Sequence, residues 1–78
     1  MEEKIKNKIY NNMKAFAKNI KYERETRNMT QKQIAQLLDI KTQSYSAYES
    51  GISLPSAINL LKLANIFDIS LDELFEIK

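Results

Sequence analysis

Apolar residues recur along this chain at three- and four-residue intervals, with no alternating run of β-branched residues, so the pattern predicts helices and no strands. Met13, Phe16, Ala17 and Ile20 trace the first stripe, and Arg24 continues its spacing. Ile9 and Ile5 extend the stripe backward, so residues 1–13 are either further turns of this helix or a frayed tail. The helix is expected to stop near Asn28, a residue that tolerates the left-handed backbone. Thr30 followed by Gln33 is a capping box and opens a second helix with apolar positions Ile34, Ala35, Leu37 and Leu38, ending near Asp39. A third helix covers roughly Thr42 to Glu49, with Tyr45 and Tyr48 on one face, and Gly51 stands just past its end. Ser56 is a good N-cap for a fourth helix running to about Phe67 through Leu60, Leu63 and Ala64. Ser70 with Glu73 is a second capping box and opens a short fifth helix carrying Leu74 and Phe75.

Five short helices in 78 residues make one domain with a small core, for which dimer formation is a plausible source of added stability. Gly51 and Pro55 are the sole glycine and proline, so there is no Gly- or Pro-rich linker. The chain has neither cysteine nor histidine. Disulfides, the common zinc sites and the usual nucleophile–base pairs therefore cannot be built, and no metal, no cofactor and no enzyme activity is expected. Asp72 and Glu73 are explained by helix capping and the helix dipole, with no second group converging on them. The longest apolar runs are only a few residues, and the start Met1-Glu2-Glu3-Lys4 lacks the order of a signal peptide, so a cytoplasmic protein is expected.

The net charge of +2 says little until it is divided. Residues 1–30 carry eight Lys or Arg and four Glu, a net of +4; residues 31–78 carry four Lys and six acidic residues, a net of −2. A basic front half suits a polyanionic partner, although a solvated lysine face gives the same charge. Tyr10, Tyr22, Tyr45 and Tyr48 could stack single-stranded bases, but helical spacing assigns Tyr45 and Tyr48 to packing instead.

The run Met29-Thr30-Gln31-Lys32-Gln33-Ile34-Ala35 through Ile40, then Tyr45 and Tyr48-Glu49-Ser50-Gly51, resembles the lambda-repressor and Cro-like helix-turn-helix family. Pro55-Ser56, Leu60-Leu61-Lys62-Leu63-Ala64 and Ile69-Ser70-Leu71-Asp72-Glu73-Leu74 resemble its fourth and fifth helices. The resemblance covers about residues 14–76 without a gap. It implies an all-α, five-helix domain over 14–78, preceded by an extension or tail over 1–13. Ala35 is small enough for close helix approach, and Ile40 fills the space between the paired helices.

The resemblance also implies a function: sequence-specific binding of double-stranded DNA by a transcriptional regulator, a repressor of phage, mobile-element or bacterial type. In this motif the second helix enters the major groove. Gln43 is then placed to bond adenine N6 and N7, Thr42 to meet a thymine methyl or a base acceptor, and Lys41 to reach guanine or a phosphate. Ser46 lies on the same face, and Ala47 stands where the family often has a longer reader. Gln31, at a helix N-terminus, and Ser44 are expected phosphate contacts. Ser50, Gly51, Ile52 and Ser53 are expected to offer backbone N–H groups to a phosphate. Arg24 and Glu49 match a family pair that joins the first helix to the recognition helix, with Arg24 also facing a phosphate. A homodimer on a roughly palindromic operator is expected, through Ile58, Leu61, Leu71, Leu74, Phe75 and Ile77.

Four departures from the family pattern qualify this picture. Asp39 replaces the usual turn glycine, Lys41 a capping Ser or Thr, and Glu23 a frequent Leu. Ile52-Ser53-Leu54 replaces a loop that often carries Lys or Arg, which leaves Lys41 as the sole base of the recognition helix and its following loop. Ile52, Leu54, Ile58 and Leu61 are candidates for an exposed apolar patch. A rival reading therefore keeps the fold but makes it a protein-interaction module, such as an antirepressor or an antitoxin-like partner.

Overall fold

A computed structural model describes residues 2–77. Its elements are α1 (Glu2–Thr26), α2 (Gln31–Leu38), α3 (Thr42–Glu49), α4 (Ala57–Phe67) and α5 (Leu71–Phe75). Residues 2–13 are helical, which decides between the two readings of the N-terminal segment. At about 1.5 Å per residue, the 25 residues of α1 span about 37 Å and account for the 40 Å long axis of the molecule. The first ten described residues are exposed throughout, so this part of α1 projects beyond the core.

Three of the four helix starts after α1 follow from capping residues in the sequence. Thr30 accepts from Gln33 N while the Gln33 side chain accepts from Thr30 N at 2.8 Å, closing the capping box. Ser56 and Ser70 cap α4 and α5 by accepting from Asn59 N and Glu73 N. Lys41, at the N-cap of α3, contributes no side-chain hydrogen bond. The helix ends share one solution. Asn28, Asp39, Asp68 and Glu76 all adopt positive φ of 55–58°. After each of them, the next residue's N–H returns to a carbonyl five residues back: Met29 to Arg24, Ile40 to Ala35, Ile69 to Ala64 and Ile77 to Asp72. This is the Schellman closure, made four times without glycine. It turns Met29, Ile40 and Ile69 back against the core.

The core is Phe16 and Ile20 of α1, Ile34, Ala35 and Leu38 of α2, Tyr45 of α3, Leu63 and Phe67 of α4, and Leu74 of α5. Ala35 is buried where α2 meets α3, and Ile40 packs beside it, as the motif requires. Leu37, an apolar position of α2 by its spacing, faces solvent instead. With only eight residues, α2 has a core stripe narrow enough to be filled by Ile34, Ala35 and Leu38.

The expectation for α5 needs a larger correction. Leu74 is 1% exposed and belongs to the core, so it cannot meet a partner. Phe75 stacks on Phe16 with ring centroids 4.5 Å apart, and Leu71 packs against the core. The long first helix is the cause. Asn12 donates to the Phe75 carbonyl at 2.8 Å and Asn19 to the Leu74 carbonyl at 2.9 Å, so α1 lies along α5 and covers its apolar side. These bonds also satisfy carbonyls at the end of α5 that its own turns leave open. Of the six residues expected at a dimer contact, Ile58, Leu61 and Ile77 remain exposed.

Candidate nucleic-acid interface

Tyr45 positions α3. Its side chain is fully buried, and its ring meets Tyr48 edge to face at 6.1 Å and 81°. With that face turned inward, Lys41, Thr42, Gln43 and Ser44 are exposed, and Ser46 and Ala47 are half-buried at the edge of the surface. The residues expected to read bases thus share the outer side of α3. The first N–H groups of α3 lack a side-chain cap, which leaves donors at the exposed end where Thr42 and Gln43 sit.

A largely buried ion pair fixes the C-terminal end of α3. Arg24 Nε donates to Glu49 Oε2 at 2.7 Å and Nη2 to Oε1 at 3.0 Å, the bidentate geometry that a guanidinium and a carboxylate favour. Nη1 donates to the Met29 carbonyl at 2.8 Å, tying the α1–α2 turn into the same cluster. Gln31 Nε2 donates to Glu49 Oε1 at 3.0 Å. The Arg24 and Glu49 side chains are 12% and 3% exposed. Burial by itself raises the Glu49 carboxyl, but the hydrogen bonds from Arg24 and Gln31 and the neighbouring Tyr45 hydroxyl outweigh it, so the group sits below the ordinary carboxylate value. The same bonds to Glu49 raise Arg24. The Tyr45 hydroxyl is buried without a well-formed hydrogen bond, and burial, with Glu49 beside it, holds the phenol well above its ordinary range.

Two expectations about phosphates are corrected by this geometry. Three of the N–H groups of Arg24 are consumed inside the domain and the side chain is largely buried, so Arg24 locks α1 to α3 and has little left to offer a phosphate. The backbone N–H groups after α3 are also consumed. Ser50 N bonds Ser46 O, Gly51 N bonds Tyr48 O, and both Ile52 N and Ser53 N bond Ala47 O. They close the end of α3, with Gly51 at φ 78°, instead of facing outward. The Ser50 hydroxyl donates to Ala47 O as well.

Two lysines of α1, which no sequence motif singles out, lie beside α3 and the loop that follows it. Lys21 of α1 shares a recess with Gln31, Ser46, Glu49 and Ser50. Lys14 of α1 lines a second recess with Tyr10, Tyr48, Gly51 and Ser53. The excess positive charge of residues 1–30 is the available signal in the sequence, but it does not show which lysines turn toward α3. On another part of the surface Leu37, Ile58, Leu61 and Ile66 line an apolar groove bordered by Lys62 and Asn65. Ile52 and Leu54 are exposed but do not line this groove, so the expected apolar patch is only partly assembled. Among the described residues no helix is long and apolar enough to cross a membrane.

Comparison with known proteins agrees with the geometry. The cryptic phage CTXphi transcriptional repressor RstR of Vibrio cholerae serotype O1 is 41% identical over 71 residues, covering 91% of this chain and 54% of that protein. An uncharacterised HTH-type transcriptional regulator of Bacillus subtilis, YqaE, is 38% identical over 61 residues, covering 78% of this chain and 53% of its own length. The chain thus spans about half the length of the curated relatives it matches. No solved structure gives a significant match. The helix-turn-helix family model matches residues 20–74, which takes in the α2–α3 pair, its Arg24–Glu49 lock and α4. With its five helices in the expected order and its turn closed at Asp39, the chain belongs to the lambda-repressor/Cro-like helix-turn-helix family.

Proposed function

We propose that this domain reads duplex DNA by sequence and serves as the DNA-binding part of a transcriptional repressor acting in the cytoplasm, without catalysis of its own. The observation that carries this reading is the outer face of α3. Thr42, Gln43 and Ser44 project from a helix anchored on its inner side by Tyr45 at its middle and by the Arg24–Glu49 pair at its C-terminal end. A rigid helix presenting uncharged hydrogen-bonding side chains suits base edges in the major groove better than it suits a nonspecific polyanion. Gln43 is assigned to an adenine, Thr42 to a neighbouring base, and Lys41 to a guanine or the adjoining phosphate. Ser46 and Ala47 approach the groove wall, and Gln31, Ser44 and the hydroxyl of Ser53 approach the backbone. The name of the Vibrio relative, a phage transcriptional repressor, supports the same biological role.

A single eight-residue recognition helix reads only a few base pairs, so the functional unit is proposed to be a homodimer on a roughly palindromic operator. Its contact is assigned to the groove lined by Leu37, Ile58, Leu61 and Ile66, because α5 is occupied by α1. The groove carries a single charged residue, Lys62, at its border, which suits an isologous contact between two apolar faces.

Selection of bound sequences from a pool of random duplexes, at stated salt, tests the reading. A recovered site with dyad symmetry, and a complex of two chains per duplex by sedimentation, is the expected outcome. Recovery of no preferred sequence would instead favour the protein-interaction module, for which the scarcity of cations within α3 and its following loop is the supporting observation. Replacing Ile58 and Leu61 with Glu should abolish the two-chain complex while leaving the domain folded, since both side chains are exposed. An unchanged stoichiometry would place the contact elsewhere.

A further inference from the structure

We propose that Lys14, Lys18 and Lys21 form a row of phosphate contacts along α1 that carries the DNA-binding surface beyond the helix-turn-helix motif. The inference rests on the duplex-binding reading above and deepens it. Positions 14, 18 and 21 fall within about 60° of one another around a helix of 3.6 residues per turn, so the three ammonium groups share one face. The two ends of the row are placed by their neighbours. Lys21 borders the recess with Gln31, Ser46 and Ser50, and Lys14 borders the recess with Gly51 and Ser53. The row therefore runs beside the C-terminal end of α3 and the loop that follows it.

The chemistry of the surroundings gives this row a role. The loop at residues 50–53 contains no Lys or Arg, and its four backbone N–H groups are bonded internally. Arg24 is spent on Glu49 and Met29. A duplex docked on α3 would otherwise meet almost no positive charge on this side. Lys14, Lys18 and Lys21 are all exposed, and none has a carboxylate within ion-pair distance among the described residues. Glu49, the acid nearest Lys21 in the recess, is already neutralised by Arg24. Glu25, on the same side of α1 one turn further on, limits the row at that end. The Lys14 ammonium lies 5.4 Å from the centre of the Tyr10 ring, a contact that holds a long side chain over the helix surface.

Lys14 and Lys21 are seven residues apart, about 10.5 Å along the helix. Projected on the duplex axis, that is on the order of three steps at about 3.4 Å of rise per step. Lys14 and Lys18 also fall outside the stretch matched by the family model, residues 20–74, so the motif itself does not supply them.

Salt-dependent titration of the selected duplex tests the proposal, using the whole chain with Lys14, Lys18 and Lys21 all changed to Gln. Removal of each phosphate-binding ammonium should flatten the slope of log K against log salt by about 0.9, and lower affinity by on the order of 5- to 10-fold near 0.1 M salt. A slope flatter by about 2–3, with the base preferences unchanged, is the expected result. Lys8→Gln, about 120° around α1 from Lys14, should leave the slope as it was. An unchanged slope in the triple variant, or a slope lowered equally by Lys8→Gln, would overturn the proposal. So would an altered base preference, because phosphate contacts carry no sequence information. Failure of the unmodified chain to prefer any duplex is a different result, and it would overturn the duplex-binding reading together with this one.

Discussion

Replacing Glu49 with Ala removes three hydrogen bonds at once: two from Arg24 and one from Gln31. Arg24 is left with one bond, to the Met29 carbonyl, and a charge with little access to water. Removing one partner of a buried ion pair typically costs about 3–5 kcal/mol, chiefly because the other charge stays buried and unpaired. Arg24 is the more exposed of the two, at 12% against 3%, so Glu49→Ala belongs near the lower end of that range. Arg24→Ala belongs higher, since it leaves a nearly inaccessible carboxylate with only the Gln31 donor and also orphans Met29 O. A domain of this length has a total stability of about 4–12 kcal/mol, so either change removes a large part of it. The molecule carries its own control. Arg27 and Glu23 form an i,i+4 pair at 2.7 Å whose side chains are 35% and 19% exposed, and Glu23→Ala should cost less than about 1 kcal/mol. Urea unfolding of the four members of the Arg24/Glu49 double-mutant cycle gives the coupling directly. A coupling of at least about 2 kcal/mol is expected. A value within about 0.5 kcal/mol of zero would refute the claim that this pair, and not the surrounding apolar contacts, locks α1 to α3.

The pH dependence of stability follows from the same cluster. Glu49 is held below its ordinary value of 4.5, so its contribution is complete above the pKa of the unfolded chain and is lost as pH falls through the lower folded value. Wild type should therefore lose stability more steeply than Glu49→Gln below about pH 4.5, and parallel melting curves across that range would count against it. Asp39, at φ 58°, should accept Gly with a gain of about 0.5–1 kcal/mol, whereas Asp39→Val should lose more than about 1 kcal/mol. Equal midpoints for these two variants in urea would mean that the left-handed turn is not maintained in solution.

The order of the helices is legible in the sequence because three of the starts carry a capping residue and two of the stops a residue that tolerates the left-handed turn. Thr30, Ser56 and Ser70 act at the starts, and Asn28 and Asp39 at the stops. Glu76, with a longer side chain and no special tolerance of positive φ, is not readable as a stop. Its turn is set by tertiary contacts, including the bond from Asn19 to its carboxylate at 3.0 Å. The Arg24–Glu49 lock is legible only through the family resemblance, since residues 25 positions apart share no local pattern. The use of surface is what cannot be read. Periodicity marks Leu71, Leu74 and Phe75 as apolar but cannot show that α1 reaches far enough to cover them. Likewise, backbone N–H groups in the loop at 50–53 have no signature in the sequence that distinguishes a free donor from one already bonded to Ala47 or Ser46. The lysines of α1 are visible in the sequence as charge, but their direction depends on how α1 lies against α3.

The central claim is that the outer face of α3 reads bases, and Gln43→Ala tests it most directly. Gln43 is exposed and makes no side-chain hydrogen bond among the described residues, so its removal should leave the unfolding midpoint in place. Affinities of wild type and variant are measured at one salt concentration, for the selected duplex and for duplexes changed one base pair at a time. Loss of about 1–3 kcal/mol on the selected duplex, with preference relaxed at one base pair per half-site and retained at the others, is the predicted result. Unchanged affinity and an unchanged preference at every position would contradict it.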